Sequence, residues 1–335
     1  MDFLKDVIKE IGDDYATVAN KIDDTERTVD TGSYILNALV SGSVFGGVSG
    51  NKITAIAGET STGKTYFSLA IVKNFLDKHP DGGVMYFDTE SAITKGLLES
   101  RGIDLERVGI INVVTIEQFR NRALTVVDKY LGLEESDRKP MMFVLDSLGM
   151  LSTEKEIKDA LDDKQVRDMT KSQLVKGAFR MLTLKLGQAN VPLIVTNHTY
   201  DVIGAYVPTK EMGGGSGLKY AASTIIYLSK GKEKDGTEVI GNIIKAKTVK
   251  SRLSRENRQV SIRLYYDERG LDRYYGLLDL AEKHGVIKKV ANRYEIDGKK
   301  VYAKEIYNNP EKYFTPDLMQ ALDEVSVKEF TYGGE

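Results

Sequence analysis

Short apolar runs without polar alternation punctuate the middle of the chain: KITAIAG at 52–58, GVMYFD at 83–88, MMFVLD at 141–146, PLIVTN at 192–197 and STIIYLS at 223–229. Between the first four lie stretches with apolar positions at helical spacing, among them KTYFSLAIVKNFLDKH and MTKSQLVKGAFRMLTLKLGQ. Strands that are apolar on both faces and alternate with helices predict an α/β fold, a mostly parallel sheet covered by helices on both sides. Near the N-terminus, Phe3, Leu4, Val7, Ile8 and Ile11 form a stripe ahead of the charged stretch DDTERTVDTGS. This predicts a short amphipathic helix on a tether, burying its stripe on its own domain or on a neighbouring subunit. After residue 270 the pattern changes: YYGLLDLAEKHG reads as a helix, and VIKKVANRYEIDGKKVY as a hairpin turning at Asp297 and Gly298. The expected division is an N-terminal helix and linker (1–30), a main core (31–270) and a small α+β C-terminal subdomain (271–335).

In a parallel sheet of this kind, ligands bind outside the carboxyl ends of the strands. Gly58 onward, Asp88 with Glu90, Asp146 with Ser147, and Asn197 with His198 all follow such ends, so they should converge on one site. The first of these stretches reads GETSTGKT, with Gly58, Gly63, Lys64 and Thr65 in the defining positions of a phosphate loop, between a strand and a helix. Backbone amides from Thr60 through Ser61, Thr62 and Gly63 to Thr65 would ring the β-phosphate, Lys64 would reach the β and γ phosphates, and Thr65 would ligate magnesium. Glu59 and Tyr66 belong to the same stretch and count among the nucleotide-binding candidates. An acid at the end of a buried apolar strand needs compensation, so Asp146 reads as the metal-side carboxylate or as a cap on the next turn. Glu90 reads as the base that orients the attacking water, or as a surface cap. His198 is a packing residue or a γ-phosphate sensor.

Behind His198 runs TYDVIGAYVPTKEMGGGSG, long, without clear periodicity and closed by a glycine cluster that does not open a strong helical pattern. It reads as an active-site lid or as a segment ordered jointly by nucleotide and ligand. Val202, Ile203, Tyr206 and Val207 are poor choices for a solvated loop and could stack on or wedge between bases.

Composition narrows the function classes. The chain has 335 residues, 41% hydrophobic and 29% charged, with no apolar run of membrane-spanning length. It has no cysteine, which rules out disulfides and thiolate metal sites and fits a reducing cytoplasm, and its three histidines make a His-rich metal centre an unlikely design. The net charge of −2 hides a basic run from Lys245 through Lys247, Lys250, Arg252 and Arg255 to Arg258, either a solvated strand edge and loop or a phosphate-binding patch.

The order GETSTGKT, YFDTES, VLDSLG, VTNHTY, GGGSGLKYAAS and GLLDLAEKHGVIKK resembles the RecA-type strand-exchange recombinases, most closely their phage UvsX branch, over nearly the whole chain. The resemblance implies a RecA-type P-loop ATPase core and a homo-oligomeric helical filament on single-stranded DNA that pairs with homologous duplex DNA. ATP and Mg2+ would lie between adjacent subunits. It implies that Glu90 is the catalytic glutamate and that His198 stands at the γ-phosphate sensor. Residues 199–215, with Gly214, Gly215 and Ser216 at their end, would form the second DNA-binding loop, and Ser152 to about Arg167 the first. Lys176 and Arg180 would contact DNA. Lys219 and Tyr220 would lie at the subunit interface, and Lys245 and Lys247 would reach the neighbour's γ-phosphate, with Lys250 as a substitute. It further implies a loader or mediator, a single-strand-binding protein and the bacterial cytoplasm of a phage-infected host cell, without membrane association. Leu97 stands where the pattern often has a tyrosine on adenine, and Thr94 replaces a nearby acid. A ring-forming helicase or motor on the same core, and a non-catalytic mediator, are the competing readings.

Overall fold

The computed structural model describes residues 2–12, 18, 28–162, 170–202, 210–296 and 298–334. In chain order, helix α1 (Asp2–Ile11) precedes a ribbon of β1 (Thr28–Val29) and β2 (Val48–Ser49) that flanks α2 (Tyr34–Ser41). The core then runs β3 (Ile53–Gly58), α3 (Lys64–Lys78), β4 (Gly83–Asp88), α4 (Lys95–Ser100), β5 (Val108–Asn112), α5 (Ile116–Leu131) and β6 (Met141–Asp146). It continues through α6 (Glu154–Leu161), α7 (Lys171–Gln188), β7 (Leu193–Asp201), β8 (Lys210–Met212), α8 (Ser216–Ala221), β9 (Thr224–Asp235), β10 (Glu238–Ser251) and β11 (Gln259–Tyr265). The remainder comprises α9 (Leu277–Lys283), β12 (Lys288–Val290), β13 (Arg293–Ile296), β14 (Lys299–Tyr302), α10 (Ala303–Asn308), α11 (Pro310–Tyr313) and α12 (Pro316–Phe330).

The large sheet has the order β11-β10-β9-β3-β7-β6-β4-β5, with β8 paired to the end of β7. From β9 to β5 neighbouring strands are parallel, and β10 and β11 extend the sheet antiparallel. The mostly parallel sheet expected from the apolar runs is therefore present. Its central strands are buried on both faces because each face meets its own cluster. One packs α2, α3, α9 and α12, including Leu39, Phe67, Ile71 and Leu322. The other packs α5, α7 and α8, including Phe119, Phe143, Phe179 and Leu218. Local signals set the helix starts: Thr115 caps α5, Thr153 and Glu156 form a reciprocal capping box on α6, and Thr315 caps α12 ahead of Pro316.

Several elements differ from the sequence reading for tertiary reasons. β5, VGIIN, is an extra strand that the sequence reading passed over; as the outer parallel strand it keeps exposed residues although Val108, Ile110 and Ile111 are apolar. The first half of the basic run lies not on a sheet edge but on β10, between β9 and β11, where exposed Lys245 and Lys247 alternate with buried Ile244, Ala246 and Thr248, while Arg252, Arg255 and Arg258 lie in the loop from β10 to β11. β7 does not stop at Asn197: it continues to Asp201 and returns as β8, with Thr199 opposite Met212 and Asp201 opposite Lys210. The glycine cluster then opens the six-residue helix α8.

At the C-terminal end β12, β13 and β14 form a separate antiparallel sheet, and β13 pairs with β14 as a hairpin; Asp297 itself lies outside the described residues. α12 folds back onto α2, where Ser43 Oγ and the Val44 amide donate to Asp323 Oδ1 at 2.6 and 2.8 Å. Glu329 on α12 gathers Lys283 (2.6 Å), His284 (3.2 Å) and Arg258 (3.6 Å). Burial alone would raise its carboxyl, but the Lys283 hydrogen bond and charge, with Arg258 and His284, hold it below the ordinary glutamate value. A lowered folded value adds stability above the unfolded pKa that is lost as pH falls through the folded one. Glu329→Gln is therefore expected to flatten the acid limb of thermal melts recorded from about pH 6 to about pH 3. Melts whose pH slopes match wild type would refute the assignment.

Candidate functional site

The strand register brings the carboxyl ends level. Gly58 sits opposite His198 across β3 and β7, and Asp88 opposite Asp146 across β4 and β6. Behind β3 the loop 58–63 turns into α3, with Gly63 at φ 86°, a left-handed conformation that glycine adopts without strain. Lys64 folds back over this turn, donating to the Gly58 carbonyl at 3.1 Å and the Glu59 carbonyl at 2.9 Å. Burial lowers the Lys64 ammonium from the ordinary lysine value, and the Asp146 and Glu90 carboxylates partly restore it. A polyphosphate in the loop would favour the charged form further.

Asp146 is buried and receives three hydroxyls. Thr65 donates to Oδ2 at 2.7 Å, Tyr86 to the same oxygen at 2.8 Å, and Thr196 to Oδ1. Burial, and then the Asp146 charge, push the Tyr86 phenol well above its ordinary value, so it remains a donor. These are hard oxygen ligands. Among the described residues no group of three or more His, Cys, Asp or Glu side chains could hold a metal. A cation at Thr65 and Asp146 would thus take its remaining ligands from phosphate and water, which suits magnesium.

Glu90 stands on the turn after β4. The buried Asp88 carboxylate fixes that turn by accepting the amides of Glu90 (3.0 Å), Ala92 (3.4 Å) and Ile93 (3.1 Å). Glu90 Oε1 accepts the Ser147 hydroxyl at 3.0 Å and lies 3.9 Å from His198 Nε2. The structure thus places the phosphate loop, Lys64, Thr65, Asp146, Glu90 and His198 around one strand-end crevice. Tyr66 turns away from it: its ring lies under Arg101 at 3.9 Å and its hydroxyl accepts the Leu271 amide. Thr94 caps α4 by accepting the Leu97 amide, and Leu97 packs against the core.

From His198 the chain leads directly to the glycine cluster. The His198 carbonyl accepts the Gly213 amide at 3.0 Å, and Asn197 Nδ2 donates to the Gly213 carbonyl at 2.8 Å. Gly213, Gly214 and Gly215 line a cleft of about 330 Å³ with Lys171, Ser172, Tyr200 and Glu156. Ser216 starts α8, whose Gly217 lies so close to α7 that a Cβ would sit 2.7 Å from the Lys176 backbone. The cluster therefore serves as a tightly packed joint between the β7–β8 arm and α7. Lys176 and Arg180 are exposed on α7 but line a different, adjoining groove of about 950 Å³ with Tyr220 and Leu184. Val202 is exposed at the described end of the arm; Ile203, Tyr206 and Val207 lie outside the described residues, as do residues 163–167 of the first loop.

Lys245 and Lys247 form no ion pair among the described residues, whereas Lys250 donates to the carbonyls of Lys219 (2.8 Å) and Tyr220 (3.0 Å) and so caps α8. That commitment removes it as a free substitute for the other two. Sequence reasoning missed Tyr86, Thr196 and Lys210. Tyr86 carried a signal, since a phenol inside a buried strand needs a partner. Lys210 did not: it bonds Glu59 of the phosphate loop and pairs with Asp201 at 3.3 Å, a tie from the arm to the nucleotide loop that only the fold creates.

The comparisons agree with this geometry. The RecA N-terminal domain family matches residues 2–272. The chain is 33% identical over 274 residues to the "Recombination and repair protein" of Enterobacteria phage T4, covering 82% of this chain and 68% of that one. It is 27% identical over 314 residues to "Protein RecA" of Paenarthrobacter aurescens (92% and 85% covered) and 29% over 327 residues to that of Paracoccus denitrificans (96% and 85%). The strand-end crevice, the phosphate loop and these matches lead to one conclusion: the chain belongs to the RecA family.

Proposed function

We propose that the protein is an ATP-dependent DNA recombinase that assembles as a filament on single-stranded DNA and exchanges strands with homologous duplex in recombination and repair. The observation that carries this reading is the direct path from the crevice through His198 into the arm. β7 runs without interruption from the strand paired with the phosphate loop to the segment that would hold DNA. Residues 31–270 form the ATPase core in this reading, 1–30 an oligomerisation helix and linker, and 271–335 a small C-terminal subdomain. α1 supports that role, because Phe3, Leu4 and Ile11 are exposed on it.

Lys64 and the amides of the phosphate loop bind the triphosphate. A magnesium ion held by Thr65 and Asp146 would neutralise phosphate charge. Glu90 orients water and accepts its proton, and His198 reads the γ-phosphate. Lys245 and Lys247 act on the nucleotide of a neighbouring subunit. The arm, Gly214, Gly215, Ser216, Lys176 and Arg180 contact DNA.

The test is ATP hydrolysis with and without single-stranded DNA, alongside electron microscopy. The expected result is turnover stimulated by DNA, with open helical filaments. Closed rings with directional unwinding would favour a motor, and turnover indifferent to DNA would sink the recombinase reading.

A further inference from the structure

Two strand ends beside the crevice are stitched together by a threonine. The Thr89 amide donates to the Asp146 carbonyl at 2.9 Å, and its hydroxyl donates to the Asp146 and Ser147 carbonyls at 3.1 Å. The same hydroxyl accepts the Ser147 amide at 2.8 Å. Ser147 is 1% exposed and held at the very end of β6, next to the carboxylate that receives Thr65. Its side chain makes one hydrogen bond, to Glu90 Oε1 at 3.0 Å. Glu90 is otherwise the freer partner, 41% exposed, with its backbone but not its carboxylate fixed by Asp88. A long side chain in that state samples several rotamers, and a base that wanders loses rate.

We propose that Ser147 is a positioning residue that aims the Glu90 carboxylate. Its hydroxyl holds one oxygen against the end of β6 and leaves the other for water. The distance from base to metal-side carboxylate is then set by two consecutive residues of one strand end, not by the mobility of the Glu90 turn. The inference rests on Glu90 acting as the base, as proposed above.

The experiment is the kcat and KM of DNA-stimulated ATP hydrolysis for wild type, Ser147→Ala, Ser147→Thr and Glu90→Gln, with ATP affinity measured on each. Ser147→Ala is expected to lower kcat about tenfold with KM within about twofold. Ser147→Thr keeps the hydroxyl and should recover kcat to within about threefold of wild type. Thr89→Val removes the hydroxyl that accepts the Ser147 amide, should lower kcat in the same direction by less, and supplies the test if Ser147→Ala does not fold. A kcat within about twofold of wild type in both Ser147→Ala and Thr89→Val, or a loss of ATP affinity that accompanies the fall in kcat, overturns the positioning role while leaving an inactive Glu90→Gln to support the parent reading. Turnover surviving in Glu90→Gln overturns both.

Discussion

Glu90→Gln is expected to lower kcat by about 100- to 10,000-fold, the usual contribution of a general base, with ATP affinity unchanged within about threefold. Glutamine keeps the length of the side chain and can still accept from Ser147, and the Asp88 carboxylate still fixes the backbone of the turn. What it loses is the capacity to take a proton. The groups that would bind the triphosphate keep their hydrogen bonds, since Lys64, Thr65 and Asp146 make them without Glu90, and bound phosphate would replace the support that the Glu90 charge gives Lys64. Steady-state hydrolysis with single-stranded DNA gives the rate, and titration with a fluorescent nucleotide gives the affinity. Turnover within about threefold of wild type would mean that water is activated elsewhere.

Phe143→Ala is expected to cost about 3–5 kcal/mol of stability. Phe143 is fully buried on β6 and stands 5.6 Å from the Phe87 ring, which is edge-on to Phe119 at 5.1 Å; Phe119 in turn meets Phe179 at 6.2 Å. Truncation opens a cavity bounded by strands on one side and α5 and α7 on the other. Parallel strands locked by neighbours on both edges cannot collapse into it. The shift in urea midpoint at unchanged m-value measures the loss. A loss under about 1 kcal/mol would show that the aromatic cluster repacks. Because Phe143 lies three residues before Asp146, residual protein at low temperature should still bind nucleotide.

The interior strands were legible because their chemistry is local: each carries its own apolar run, and burial on both faces needs nothing from a partner's identity. β5 was not singled out: VGIIN is short and apolar, but Gly109 and Asn112 interrupt it, and as an outer strand it stays half exposed. The arm was illegible for another reason. TYD and KEM become strands only by pairing with each other across a segment of the chain, which is a property of register and not of propensity. In the site, Lys64, Thr65, Glu90 and Asp146 were found through motif spacing and the strand-end rule. The contacts that tune them, from Thr196, Tyr86 and Ser147, depend on which side chains face each other across neighbouring strands. The Lys210–Glu59 tie spans 151 positions and has no sequence trace at all.

The return of α12 onto α2 sets a schedule for synthesis. Ser43 and Asp323, joined by a hydrogen bond, are 280 positions apart. At about 5 to 20 residues per second, a ribosome needs on the order of 15 to 55 s to go from one to the other. Throughout that interval the nascent chain carries Leu36, Leu39 and Val40 without the Met319 and Leu322 that share their cluster. The sheet can form as its strands emerge, but its α2 face cannot be sealed until translation has passed residue 330. Aggregation during synthesis should therefore begin at this face, and a chain stalled before α12 should present it to chaperones.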